Sequence, residues 1–129
     1  MKQIHVVCAI LQKENYILIA QRKTGEFAGM WEFPGGKIEE HESQEQALRR
    51  ELREELAAEI QIEEHFMTRT YQYPTFHLTM ECYLCRLVSE ELVLHDHAAV
   101  RWIALDPTTE VDWIPADIEI FERLLARKK

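Results

Sequence analysis

Gly35-Gly36-Lys37-Ile38-Glu39-Glu40-His41-Glu42-Ser43-Gln44-Glu45-Gln46-Ala47-Leu48-Arg49-Arg50-Glu51-Leu52-Arg53-Glu54-Glu55-Leu56 is the stretch whose reading decides the fold. It opens on two glycines and closes as a helix. Ser43 suits an N-cap, and Gln46 three residues later completes a capping-box pattern. Leu48, Leu52 and Leu56 recur every fourth residue and form one buried stripe. At about 100° per residue, Glu51, Glu54 and Glu55 fall within roughly 100° of one another, beside that stripe. Ala47, one turn back, leaves room above them. Like charges at this spacing cost about 0.2–0.5 kcal/mol per exposed pair. Compensation is needed, and Arg50, Arg53 or a divalent cation can supply it. Clustered carboxylate oxygens are hard ligands, suited to Mg²⁺ or Mn²⁺. Taken singly, a Glu-rich helix is also an ordinary solvated face, and two glycines are also a plain turn. The joint spacing is the specific signal.

Working outward, Pro34 disfavours helix at Phe33, and the glycines after it permit backbone angles other residues resist. Trp31-Glu32-Phe33 reads as a short extended piece. Residues 3–11 read as a strand buried on both faces, and 16–20 as a second strand ending at Gln21-Arg22. A loop with two glycines, residues 23–29, follows. Beyond the helix, residues 59–73 and 75–87 read as a strand hairpin around Pro74, and 100–104 as another strand. Residues 115–127 read as an amphipathic helix with Ile118, Phe121 and Leu125 on one face, and Lys128 and Lys129 at its negative end. The order predicts an α+β (mixed α/β) fold, a sheet covered by two helices, in one domain over residues 1–129.

The formal net charge of −8 lacks the basic excess of a general nucleic-acid binder. Phosphates would have to be held by a few placed cations and metal. No run of eighteen apolar residues suggests a membrane span, and the N-terminus lacks the pattern of a signal peptide, so a cytoplasmic protein is expected. Three cysteines argue against a disulfide framework. Cys82-Tyr83-Leu84-Cys85 spells C-x-x-C, but strand alternation points Cys82 and Cys85 to opposite faces, against a redox or zinc pair.

The spacing from Gly36 resembles the Nudix box, G-x5-E-x7-R-E-U-x-E-E-x-G-U, where U is a bulky aliphatic residue. Gly36, Glu42, Arg50, Glu51, Leu52, Glu54 and Glu55 match in register over 36–58. Ala57 stands where the box has glycine, and Ala58 at the last aliphatic position. Alanine can continue the helix where glycine would leave it. Trp31-Glu32-Phe33-Pro34-Gly35-Gly36-Lys37 and Trp113-Ile114-Pro115-Ala116-Asp117-Ile118 resemble segments of MutT-type members, from the 8-oxo-dGTP diphosphatase and CTP pyrophosphohydrolase branches.

The resemblance implies the Nudix fold, a curved mixed sheet sandwiched between helices. It also implies a Mg²⁺-dependent pyrophosphohydrolase, with Mn²⁺ as a substitute, that cuts a nucleoside triphosphate to monophosphate and pyrophosphate for nucleotide-pool sanitisation. The metal ligands it implies are Gly35 through its carbonyl, Glu51, Glu54 and Glu55. Glu51 and Glu54 double as candidates for activating water, Arg50 orients a carboxylate, and Asp96 is a further ligand or base. Arg22 and Lys37 would contact phosphate. Glu32, Phe33, Pro34, Gly35, Phe76 and Asp117 would bind the rest of the substrate, with the first strand and Asp117 facing the base. Bland readings stand beside these: Arg50 as a helix salt bridge, Arg22 and Lys37 as surface charge, Asp117 as a helix N-terminal acid, Phe76 as packing. His95 and His97 beside Asp96 raise zinc as a possibility, against a polar loop. The alternatives are a nucleotide-sugar or dinucleotide hydrolase of the ADP-ribose type, and a non-catalytic nucleotide-binding module on the same fold. The expected partner is a small-molecule nucleotide, with no nucleic acid or membrane, and the chain a monomer or weak dimer.

Overall fold

The computed structural model describes residues 1–95 and 97–128. Asp96 and Lys129, both named above, lie outside them. The elements are β1 (Lys2–Lys13), β2 (Tyr16–Arg22), β3 (Trp31–Glu32), β4 (Gly35–Lys37), α1 (Gln44–Leu56), β5 (Ile60–Gln72), β6 (Phe76–Leu87), β7 (His97–Ala104) and α2 (Ile118–Lys128). The strands form a mixed sheet in the order β3-β2-β1-β6-β5, with β4 added to β1 and β7 to β2. β1 and β6 run parallel over Lys2–Leu11, and the other pairings are antiparallel. Residues 115–117 form a 3₁₀ turn ahead of α2, so the last helix starts later than its amphipathic pattern suggests.

The unbroken apolar run of β1 buries both faces of the sheet. Val7, Ala9 and Leu11 meet Leu48, Leu52 and Leu56 of α1. Cys8 and Ile10 meet Ile120, Phe121 and Leu124 of α2 from the opposite side. Each buried leucine of α1 stabilises by about 2 kcal/mol. Cys82 and Cys85 fall in opposite clusters, as alternation required. Among the described residues no helix is long and apolar enough to cross a membrane.

β1 and β2 pair only at their turn, Gln12 with Ile17 and Lys13 with Tyr16, and then diverge. The chain from 31 to 37 crosses that fork. It pairs first with β2, Ala20 with Glu32, and then with β1, Cys8 with Gly35 and Val7 with Gly36. The Pro34 carbonyl accepts from the Ala9 N–H at 2.8 Å, closing the crossing. The Gly35-Gly36 bend expected from sequence is therefore strand. The positive-φ glycines are Gly25 and Gly29 instead. Gly35 and Gly36 are required for space: a Cβ on Gly35 would stand 2.0 Å from the Val7 carbonyl oxygen, and one on Gly36 2.3 Å from the Glu51 carboxylate.

The helix exit corrects a second expectation. α1 stops at Leu56, and Ala57 takes the left-handed conformation (φ 54°, ψ 31°) that glycine would favour. Its N–H donates to Arg53 O at 3.0 Å and that of Ala58 to Leu52 O at 3.1 Å. The Ala57 bond is the 5→1 bond of a left-handed helix exit, made here without the glycine.

Candidate functional site

Where the crossing segment, the last turn of α1 and the 3₁₀ turn converge, the fork opens into a cavity of about 450 Å³. One end is largely apolar, with Val6, Cys8, Phe76, Leu78 and Ala116 around Asp117. The other carries Arg22, Lys23, Glu32, Gly36, Lys37, Glu55 and His97. Of the residues expected from sequence, Arg22, Glu32, Phe33, Gly35, Lys37, Glu55, Phe76 and Asp117 all line this cavity. Pro34 does not: it is fully buried, holding the crossing to β1. The Phe33 ring is also committed elsewhere, stacked on Trp113 at 5.0 Å between centroids.

Asp117 shows how the two ends are tied. Its Oδ2 accepts the Phe33 N–H at 2.8 Å, and the side chain is almost wholly buried. Burial pushes its carboxyl up to about 8; the Phe33 N–H pulls the other way, and the nearby Glu32 charge pushes it further up. At neutral pH this group is largely a neutral acid. It offers one O–H donor and acceptor capacity to whatever enters.

The helix carboxylates are gathered on Arg50. Its Nε donates to Glu42 at 2.6 Å and its Nη2 to the same carboxylate at 2.9 Å. Its Nη1 reaches Glu51 at 2.9 Å and Glu54 at 3.2 Å, and Nη2 also reaches the Lys37 carbonyl at 3.0 Å. The Arg50 contact holds Glu42 down at about 2, helped by the Glu39 N–H, and Glu42 in turn raises Arg50. One guanidinium thus offsets the repulsion that the helix pattern predicted. Glu54 projects outward, while Glu51 is pressed against the Gly36 backbone.

Among the described residues no three His, Cys, Asp or Glu side chains group to hold a metal ion by themselves. His95 and His97 belong to no such group among the described residues, and Asp96, the third member of the zinc reading, lies outside them. The donor set still fits a Mg²⁺-like ion. Such ions take one or two carboxylates and complete their shell with water and substrate phosphate. Glu51 and Glu55, both mostly shielded from solvent, flank the crossing strand with hard oxygens, and the glycine there leaves the approach open.

Sequence reading named His97 only as a zinc candidate or part of a polar loop and missed its contact with Glu32 in the site. His97 opens β7, three residues before the strand predicted at 100, and it is buried instead of lying in a polar loop. Its Nε2 lies 3.0 Å from Glu32 Oε2. The signal that could have found it is the odd histidine at the start of a strand that pairs with Arg22.

Residues 6–123 match the NUDIX domain family. The chain is 36% identical to the CTP pyrophosphohydrolase of Escherichia coli (strain K12), over 98% of this chain and 94% of that protein. It is 30% identical to the 8-oxo-dGTP diphosphatase of the same strain, over 96% and 98%. The solution structure of the E. coli ORF135 protein superposes with a TM-score of 0.84 at 36% identity, covering 99% of this chain and 92% of that one.

Proposed function

The chain belongs to the NUDIX family of hydrolases, and from that premise we propose that it cleaves nucleoside triphosphates to monophosphate and pyrophosphate with Mg²⁺, clearing (d)CTP-like or oxidised purine nucleotides from the pool. The observation that carries the reading is the two-ended cavity: an apolar end with one neutral acid, continuous with a polar end that Glu55 of the carboxylate helix lines.

Glu51 and Glu55, with the Gly35 carbonyl, would hold the metal, and Glu54 would add a further oxygen. When bound, the ion offsets phosphate charge and lowers the pKa of the attacking water. Arg50 keeps Glu51 and Glu54 from swinging away, since its fork is anchored on Glu42 and the Lys37 carbonyl. Arg22 and Lys37 face the phosphates from either side of the fork. Glu51 accepts the water proton as phosphorus is attacked, the P–O–P bond breaks, and pyrophosphate leaves. At the other end, a protonated Asp117 pairs one donor and one acceptor against the edge of an amino-bearing base, while the β1 side chains and Phe76 flank its faces. Both cytosine and an oxidised guanine offer such an edge.

Pyrophosphate release with Mg²⁺, ranked by kcat/KM over CTP, 5-methyl-dCTP, dGTP and 8-oxo-dGTP, tests the substrate class. Glu55→Gln in a folded protein should lower kcat by about 10²-fold or more. Release that persists in that variant, or that needs no divalent ion, would refute the reading.

A further inference from the structure

His97 is the one buried imidazole in the site, and four elements meet on it. Its side chain is 6% exposed. On one side Nε2 contacts Glu32 of β3 at 3.0 Å, and that same carboxylate receives Arg22 Nε of β2 at 3.2 Å. On the other side Nδ1, which makes no hydrogen bond among the described residues, faces Glu55 Oε2 of α1 at 4.0 Å. Two backbone bonds fix the approach: the His95 N–H donates to Glu55 O at 3.0 Å and the Val93 N–H to Leu56 O at 2.8 Å. They latch the chain before β7 onto the end of α1. On the β2 side, the pairing register shifts between Gln21 and Arg22, which places Arg22 opposite His97. Such irregularities re-aim side chains.

We propose that His97 is a positioning residue that sets the Glu55 carboxylate toward the metal and the Glu32–Arg22 pair toward the phosphates, so that one ring fixes the spacing of both ends. The inference rests on the reading of Glu55 as a metal ligand. An imidazole suits this work because its two nitrogens point in different directions at a fixed separation on a rigid ring. No flexible side chain keeps two carboxylates of different elements in register at so small a loss of freedom. Burial of a polar ring is costly unless its polar atoms are used: Glu32 uses Nε2, while Nδ1, without a hydrogen bond among the described residues, stands 4.0 Å from Glu55, within reach of a small shift of that carboxylate.

The test uses Mn²⁺ binding to the protein alone, followed by electron paramagnetic resonance, beside kcat and KM for CTP. His97→Ala should weaken Mn²⁺ binding about 10- to 100-fold, the range seen when groups that orient metal ligands are removed. His97→Gln places an amide nitrogen where Nε2 was and loses the side facing Glu55, so KM should recover while Mn²⁺ binding stays weak. His97→Asn does the reverse. A purely structural role would not split the two readouts. Mn²⁺ affinity within twofold of the parent in His97→Ala and His97→Gln, both folded by circular dichroism, would overturn the proposal. If His97→Ala does not fold, His97→Gln decides by the same criterion, and His97→Asn decides by KM, which should stay raised; a KM within twofold of the parent there would overturn the proposal. A parent protein that binds no Mn²⁺ would overturn the metal reading itself, which sets the two failures apart.

Discussion

Replacing Ala57 with glycine should stabilise the protein. Ala57 sits at φ 54° and ψ 31°, where a Cβ crowds the following carbonyl. An L-residue held there costs about 1–2 kcal/mol, and glycine relieves most of it. Glycine also frees the unfolded chain, which takes back roughly 0.4–1 kcal/mol. The balance is a gain of about 1 kcal/mol. At about 2.1 cal/mol/K per residue over 129 residues, that gain moves Tm up by roughly 3–4 °C. Thermal unfolding by circular dichroism reads it directly. Ala57→Val, branched at Cβ, should move Tm down. Amide exchange gives a second view: the Ala57 and Ala58 N–H groups, bonded to Arg53 O and Leu52 O, should be protected. A Tm that falls on Ala57→Gly would mean the helix runs on through residue 57, and the exit geometry described here would be wrong.

The two glycines of the crossing should fail differently. Gly35→Ala drives a Cβ into the Val7 backbone and should cost a few kcal/mol of stability, about 1–3, read as a lowered urea midpoint. Gly36→Ala instead displaces the Glu51 carboxylate and should lower kcat by about 10²-fold with a smaller loss of stability. Arg50→Lys keeps the charge but cannot fork between Glu42, Glu51 and Glu54, so kcat/KM should fall about 10- to 100-fold; a change under twofold would remove Arg50 from the site. Asp117 makes stability depend on pH. Its folded pKa of about 8 exceeds the ordinary 3.8, so between those values the folded protein keeps a proton that the unfolded chain releases. Its contribution is fully present below about pH 4, declines as pH rises toward 8 by at most about 1.4 kcal/mol per unit, and is flat above. Asp117→Asn, neutral throughout, should flatten that decline in urea midpoints taken at about pH 5 and pH 8.

The helix was legible residue by residue because its signals are local. Ser43 and Gln46 do cap it, with Gln46 N–H donating to Ser43 Oγ at 3.1 Å, and Leu48, Leu52 and Leu56 are its buried stripe. The both-faces burial of β1 followed from an unbroken apolar run. What sequence could not give was the fork. Whether β1 and β2 stay paired depends on which strand fills the space between them, and nothing in residues 3–22 encodes that β4 will. The same blindness explains the misread glycines. A bend and a close approach both call for the absence of Cβ, and only the position of Glu51 and the Val7 carbonyl tells them apart.

His97 escaped for a related reason, and the reason bears on how an acidic chain handles a triphosphate. Its partners, Glu32 and Glu55, are 65 and 42 positions away, so no spacing rule joins them. With a net charge of −8, the global field opposes an anionic ligand, and long-range attraction cannot be the device. What remains is local. Arg50 is saturated by Glu42, Glu51 and Glu54, so it offers little to phosphate. Arg22 is half-committed to Glu32, which His97 also contacts. A group that holds Glu32 in place therefore governs how much of the Arg22 charge a phosphate can use. Loosening Glu32 should let Arg22 collapse onto it more fully and raise KM, whereas loosening Glu55 should act through the metal. That separation is why the glutamine and asparagine variants of His97 are expected to diverge in KM and in Mn²⁺ binding instead of failing together.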